Sequence, residues 1–440
     1  MPSIDAANAR AVLEKWILAT GMPLICDLER SQGAYLYDAS RNIEYLDFFG
    51  FFGSRPLGFN HRGLLQRPFL ERLQRAALHK PSNCDVYTVE FARFTDAFCS
   101  VALGGAFPHV FFIDGGGPAV DNAVKAAVDW KVRKNLGASR GQKGTQILHF
   151  KQAFHGRTGY ALSLTDPYDI RKTQYFPMFN WPRVSNPKMQ FPFDAAALRS
   201  VEEREAQSLK EIAHAFDANA HDIAAVIIEP IQGEGGDNYF RSEFLRQLRQ
   251  ICNAHEALLI FDEVQTGFGA TGKWWDYQHH GVQPDILVFG KKTQICGFAA
   301  TARMDEVDSV FKIASRISST FEGNIVDMVR CERVIEIIEE EKLIDNAATM
   351  GAYLLRVLQD LAQEHRNMTA VRGRGLWAAF DMPSHEARNR LLKCCFDAEL
   401  LVLACGERSI RLRPALDITA DSIGRAAAQL DAALAKTGTQ

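Results

Sequence analysis

No stretch of this 440-residue chain approaches the ~18 consecutive apolar residues that a membrane-spanning helix requires. No block of Lys or Arg stands out either. With 50 basic residues against 53 acidic, nothing supports a nucleic-acid partner. Internal repeats and low-complexity tracts are missing. The nine cysteines (26, 84, 99, 252, 296, 331, 394, 395 and 405) form no CxxC pair and no Cys/His cluster. An odd count without metal-ligand spacing indicates reduced, mostly buried thiols in a cytoplasmic protein, with no metal site expected. Cys296 is expected to serve packing. The segment Met1 to Trp16 carries Asp5 and Glu14 among alternating apolar and polar residues. That pattern predicts an amphipathic helix capped by Ser3 rather than a signal peptide.

What is present is a series of short apolar runs, each ending in charge, glycine or amide. Ala257-Leu-Leu-Ile-Phe261 ends in Asp262, and Ile286-Leu-Val-Phe289 ends in Gly290-Lys291-Lys292. Runs this short and this rich in Ile, Val, Leu and Phe predict buried strands of a parallel sheet. The carboxyl edge of such a sheet is where open α/β folds bind ligands. A charge placed there is costly to desolvate unless paired. A buried acid beside a buried amine suits pyridoxal phosphate, which takes a Lys for its Schiff base and an Asp for its pyridinium nitrogen.

Three further runs complete the pattern. His109-Val-Phe-Phe-Ile113 leads to Asp114-Gly115-Gly116-Gly117-Pro118 and a helix over Val120 to Lys134. Glycines before a helix start let backbone N–H groups approach a phosphate, although a triple Gly alone is more often just a loop. Gln146 to Phe150 leads to Phe154-His155-Gly156-Arg157. There an aromatic ring could stack on a pyridine and Arg157 could grip a carboxylate, or the two could be a core Phe and a surface Arg. Ile223 to Ile228 leads to Glu229-Pro-Ile-Gln-Gly-Glu234, then a helix over Ser242 to His255. Strands alternating with helices predict a parallel sheet with right-handed crossovers.

Outside this core, Gly33 to Leu57 patterns as a small antiparallel sheet turning at Asp38-Ala-Ser-Arg-Asn42. Thr165 to Phe193 is expected to be a long loop covering the site. Amphipathic helices are expected over Val326 to Glu341 and Asn346 to Glu364. The fold class expected is α/β. A large domain (58–321) would hold a mostly parallel central sheet flanked by helices. A small α+β domain would be built from both chain ends (1–57 and 322–440).

The ordered motifs GGGPAVDNAVKAA, FHGRTGYALS, EPIQGEGGD, FDEVQTGFGATGK, FGKK, STFEGN, RGRGLW and IRLRPAL resemble the class III (ω-) aminotransferases, pyridoxal-phosphate enzymes of fold type I. The resemblance spans nearly the whole chain from about Leu28. Within the class, KPSNCDVYTVEFARF, FFIDGGGPAVDNAVKAAVDWK, FGKKTQICG and STFEGNIVDMVR look most like the lysine ε-aminotransferases, with the GABA aminotransferases next.

Carried over residue by residue, the resemblance implies that Lys292, not Lys291, is the Schiff-base lysine, from its distance to the small pair Cys296-Gly297. It implies Asp262 on the pyridine nitrogen, Gln265 on the ring oxygen, and Val264 and Phe154 on the two ring faces. Gly116 and Gly117 would bind phosphate, joined by Thr320 of a partner subunit in a homodimer with shared sites. Arg157 would hold the distant carboxylate of the amino-acid donor. Arg411 would bind the α-carboxylate of 2-oxoglutarate, with Glu234 masking it when a terminal amine is bound. Phe52 stands where substrate length is sensed. Arg55, Ser318 and Pro118 depart from the pattern; Arg55 would offer a second anionic grip or reach solvent. The implied reaction moves the ε-amino group of L-lysine to 2-oxoglutarate. The alternatives are another donor such as GABA or ornithine, or lyase or decarboxylase chemistry on the same fold.

Overall fold

The computed structural model describes residues 3–437. Its centre is a seven-stranded sheet. Taken in order across it, the strands are His109–Ile113, Cys296–Ala300, Ile286–Phe289, Leu258–Asp262, Ile223–Ile228, Gln146–Phe150 and Arg183–Val184. Every residue of the three middle strands, 286–289, 258–262 and 223–228, is buried. This is why their sequences are continuous apolar runs instead of alternating ones. Alternation decides which face each side chain fills. Leu259 and Phe261 join one hydrophobic layer with Val226 and Ile228, while Leu258 and Ile260 join the other with Ala225 and Ile227.

The strands pair parallel, as Ile260 with Ile286 and Leu258 with Ala225 illustrate. The exception is Cys296–Ala300, which runs antiparallel between its two neighbours. The sheet is thus mostly parallel, as expected; this one strand was not foreseen, because the chain returns directly from the lysine turn without a crossover helix. Gly297 permits the insertion: a Cβ there would lie 2.0 Å from the Phe111 carbonyl oxygen. Two antiparallel partnerships in a row leave His109–Ile113 parallel to the rest. All five predicted strand ends therefore share one edge.

Four of the flanking helices follow the sequence closely, and a fifth, Ala195–Ala218, was not expected from it. Gly116–Gly137 starts directly at the glycines, with Pro118 in its first turn, where its missing N–H costs nothing. Ala195–Ala218 is capped by Asp194, whose carboxylate accepts from the Ala196 and Ala197 amides. Ser242–Ala254, Ile325–Glu340 and Leu343–Glu364 lie within a residue or a few of their expected positions. No helix among the described residues is long and apolar enough to cross a membrane.

Three local expectations change. Among the described residues the first helix is only Ala9–Glu14, and it buries no side chain. Ser3 is not its cap; the Asp5 carboxylate takes the Ala7 and Asn8 amides. So short a helix without a packed face has little to extend it. The segment from Thr165 to Phe193 is mostly loop, but Arg183–Val184 adds to the central sheet beside His149 and Phe150. Arg55 neither faces a ligand nor reaches into solvent. Its guanidinium bonds Asp47 at 3.1 Å and the Gly33 and Leu57 carbonyls, and stacks 3.6 Å over Phe59.

Both chain ends meet in one small sheet. Cys26–Gln32, Tyr35–Asp38 and Ile43–Asp47 form a meander, and Leu400–Leu401 pairs parallel to its last strand. A second antiparallel sheet, of Thr369–Arg374, Trp377–Asp381, Ser409–Leu412 and Leu403–Cys405, carries Arg411 toward the central sheet.

Candidate active site

The site is built on the carboxyl edge, with Asp262 near its middle. Asp262 is buried. Its Oδ1 accepts from the Val264 amide at 3.1 Å, and its Oδ2 lies 2.7 Å from Nδ1 of the fully buried His155. His155 has no second partner for Nε2 among the described residues. A short loop after one strand thus supplies the imidazole that orients the carboxylate of another.

The same loop is fastened at two more points. The Phe154 amide donates to Glu229 at 2.8 Å, and Glu229 also accepts from Gly233 at 3.1 Å. Burial pushes the Glu229 carboxyl up to about 7, against the lowering effect of His155. Asp121, one turn into the Gly116–Gly137 helix, accepts from Thr158 Oγ1 and the Ala161 amide at 2.8 Å each. A Cβ on Gly117 would come 2.6 Å from Thr158 Oγ1, and one on Gly156 would come 2.8 Å from Gly117 Cα. Backbones approach this closely only because both positions are glycine.

The two adjacent lysines point apart. Lys292 is buried and its amine donates to the Gly53 carbonyl at 2.7 Å. The charges acting on it are Arg413 and Lys291, with no carboxylate among them. Burial, helped by these cations, brings its amine down to about 7. Lys291 instead stands among Arg411, Asp262, Cys296 and Glu234. Its amine makes no hydrogen bond among the described residues, and burial and Arg411 push it below the ordinary lysine range. The structure therefore brings Lys291, and not Lys292, to the Asp262 site. The physical reason lies in the turn Lys291–Thr293. Positive φ at Lys291 (56°) and Gln294 (62°) takes up one residue between the strand end and Cys296, so spacing alone does not set direction.

On the substrate side, Arg411 is buried and donates to Glu234 Oε2 at 2.9 Å. Burial and the Cys405 thiol act on it together with Glu234, and the balance holds the guanidinium charged. Gln265 Oε1 lies 3.4 Å from Arg411 Nη1. Arg157 is exposed, 5.9 Å from the Phe154 ring centroid, and forms no ion pair among the described residues. Val264 packs against Gly116, where an added Cβ would meet it at 3.3 Å. Phe52 is 54% exposed, and with Phe51 it sits in a left-handed turn, at φ 59° and 51°. Two non-glycine residues held there cost about 1–3 kcal/mol each. Their turn presents the Gly53 carbonyl to Lys292. Thr320 and Ser318 are exposed, and the Thr320 carbonyl accepts from Ser82 Oγ at 2.6 Å. None of its hydrogen bonds reaches Gly116 or Gly117.

These residues fit pyridoxal phosphate on their own terms. The helix at Gly116 starts without a side-chain cap, leaving N–H donors for a phosphate. The Lys291 amine, which makes no hydrogen bond among the described residues, feels the charge of the buried, oriented Asp262 carboxylate. An acid–amine pair at the ends of adjacent strands, beside an uncapped glycine turn, defines a pyridoxal-phosphate enzyme of fold type I.

Comparison with known proteins agrees. The chain belongs to the aminotransferase class-III family, whose model matches residues 18–434, and it is a pyridoxal-phosphate-dependent aminotransferase. It is 44% identical over 438 residues to the L-lysine-epsilon aminotransferase of Amycolatopsis lactamdurans, covering 99% of this chain and 97% of that one. It is 32% identical over 422 residues to the mitochondrial 4-aminobutyrate aminotransferase of Homo sapiens, covering 90% and 82%. The solved lysine aminotransferase from M. tuberculosis superposes with a TM-score of 0.96 at 44% identity, covering 99% of this chain and 100% of that one.

Proposed function

We propose that this enzyme transfers the ε-amino group of L-lysine to 2-oxoglutarate. The products are 2-aminoadipate 6-semialdehyde, which cyclises, and L-glutamate. The observation that carries this reading is the Glu234–Arg411 ion pair, together with an exposed Arg157 that forms no ion pair among the described residues. The donor's reacting carbon bears no carboxylate, so a buried Arg411 must be neutralised by the protein while the donor is bound. Leaving it unpaired would cost several kcal/mol. 2-Oxoglutarate brings a carboxylate to that position and can replace Glu234. Arg157 then takes the carboxylate at the far end of either substrate.

Bound pyridoxal phosphate supplies an electron sink for the carbon that carries the amine. Lys291 is the lysine we assign to cofactor attachment and to moving the proton between substrate carbon and cofactor carbon. Asp262, fixed by His155, keeps the pyridine nitrogen protonated. Gln265 donates to the ring oxygen, and Val264 and Phe154 enclose the ring. Gly116 and Gly117 hold the phosphate, with Thr320 of a second copy in a homodimer. Phe52 borders the substrate channel. Residues 58–321 form the cofactor domain and 1–57 with 322–440 the smaller one. We place the enzyme in the cytoplasm.

Donation by GABA or ornithine uses the same two arginines and is the nearest rival. The 44% identity to the lysine enzyme, against 32% to the 4-aminobutyrate enzyme, favours lysine. A lyase or decarboxylase has no second substrate and no use for a masked Arg411. The test is a panel of amine donors with 2-oxoglutarate, reading glutamate formed. L-Lysine is expected to give the highest kcat/KM. GABA or ornithine greatly outperforming it would overturn the assignment.

A further inference from the structure

Glu234 is held by two cations. Its Oε2 accepts from Arg411 at 2.9 Å, and its Oε1 accepts from Lys172 Nζ at 2.5 Å. Lys172 ends the short 3-10 turn Ile170–Lys172, which Asp169 caps through the Arg171 amide. Its amine also lies 5.9 Å from the Phe154 ring centroid. The loop thus bonds Glu234 through Lys172, while Thr165 at its start accepts from the His155 and Gly156 amides at 3.0 and 3.2 Å. Burial works against the Glu234 charge, but Arg411 and Lys172 outweigh it and hold the carboxyl below its ordinary range.

The charges must balance in both halves of the reaction. With the donor bound, Glu234 neutralises Arg411. When a carboxylate of 2-oxoglutarate takes Arg411, Glu234 has to leave. A displaced acid without a cation would remain beside the incoming carboxylate and repel it. We propose that Lys172 is the second station of Glu234: it keeps the displaced carboxylate paired and so sets the preference of the site for an α-keto acid acceptor. Lys172 is then a positioning residue that acts through Glu234 and touches neither substrate. The opening motion is a swing of Glu234 about its existing bond to Lys172, with no excursion into solvent. The covering loop is stapled to the gate in both halves of the cycle.

The inference rests on the Glu234–Arg411 gate proposed above, and the experiment separates the two. Each half-reaction is followed on the holoenzyme in rapid mixing, L-lysine alone and then the aminated enzyme with 2-oxoglutarate. The variants are Lys172→Met, Lys172→Arg, Glu234→Gln and Lys172→Met/Glu234→Gln. Lys172→Met is expected to reduce kcat/KM for 2-oxoglutarate about ten-fold more than for the donor, about 1.4 kcal/mol. Lys172→Arg restores the ratio. Adding Lys172→Met to Glu234→Gln gives no further acceptor penalty, because a neutral amide needs no second cation. Should Glu234→Gln leave the acceptor-to-donor ratio unchanged, the gate fails and the Lys172 role with it. Should Glu234→Gln shift the ratio while Lys172→Met lowers both half-reactions equally or neither, the gate stands and the Lys172 role is overturned.

Discussion

His155 Nδ1 lies 2.7 Å from Asp262 Oδ2, with both side chains sealed from solvent. The imidazole comes from the loop after one strand and the carboxylate from the end of another, so the pair fixes the floor of the site across the sheet edge. His155→Ala leaves Asp262 with a vacant acceptor in a buried place, a cost of about 1–3 kcal/mol. Cofactor retention and kcat should each fall ~10–100-fold, read by equilibrium dialysis and steady-state rates. Wild-type retention in the variant would show that Asp262 needs no orienting partner.

The two lysines give a direct chemical test. Borohydride reduction of the holoenzyme followed by peptide mass mapping should place the cofactor on Lys291. Lys291→Ala should abolish both the label and turnover, whereas Lys292→Met should keep the label. A label on Lys292 would mean that the lysine turn is read in the wrong direction.

Cofactor uptake should depend on pH in a defined sense. Burial and Arg411 push the Lys291 amine below the ordinary lysine range, so it sheds its proton at lower pH than an exposed lysine. The neutral amine is the reactive form. The rate at which apoenzyme takes up pyridoxal phosphate should therefore rise with pH and level off well below the ~10.4 of a free lysine. Arg411→Gln removes a cation that lowers this amine, so it should move the curve to higher pH. Stopped-flow absorbance measures both; a curve unmoved by Arg411→Gln would contradict the placement of Lys291.

Arg55 tests the distinction between site and scaffold. It pairs with the buried Asp47 and clamps the Gly33 and Leu57 carbonyls. Arg55→Met leaves Asp47 buried without its cation, although the Phe49 and Gly50 amides still donate to it. Denaturant unfolding should show a loss of about 2–4 kcal/mol, with the order of preferred amine donors unchanged. A reordered donor panel in a stable variant would return Arg55 to the substrate pocket.

Much of this was legible in the sequence because the central strands are buried on both faces, and such strands are plain apolar runs that end where the chemistry starts. Asp262, Glu234 and the Gly116 turn were found that way. What the sequence could not show is direction and distant pairing. Two adjacent lysines are equivalent in a linear text, and the turn with positive φ at Lys291 and Gln294 sets which one stands near Asp262. Lys172, Asp121 and Glu229 look like ordinary loop or helix charges until the fold brings them to Glu234, Thr158 and Phe154. Arg55 read as either an anionic grip or a solvated side chain because its acid, Asp47, sits on a strand whose other charge, Glu44, is exposed. The antiparallel Cys296–Ala300 strand was missed because its direction depends on neighbours far away in the chain.

The most direct measurement mixes the purified yellow holoenzyme with L-lysine alone and follows the visible absorbance of the bound cofactor, with an aromatic aminoaldehyde present to trap a cyclic imine. Loss of the visible band together with trapped imine is the predicted result, since the donor half-reaction needs no second substrate. An unchanged band with L-lysine, in enzyme that L-glutamate does convert, would keep the aminotransferase and contradict lysine as its donor.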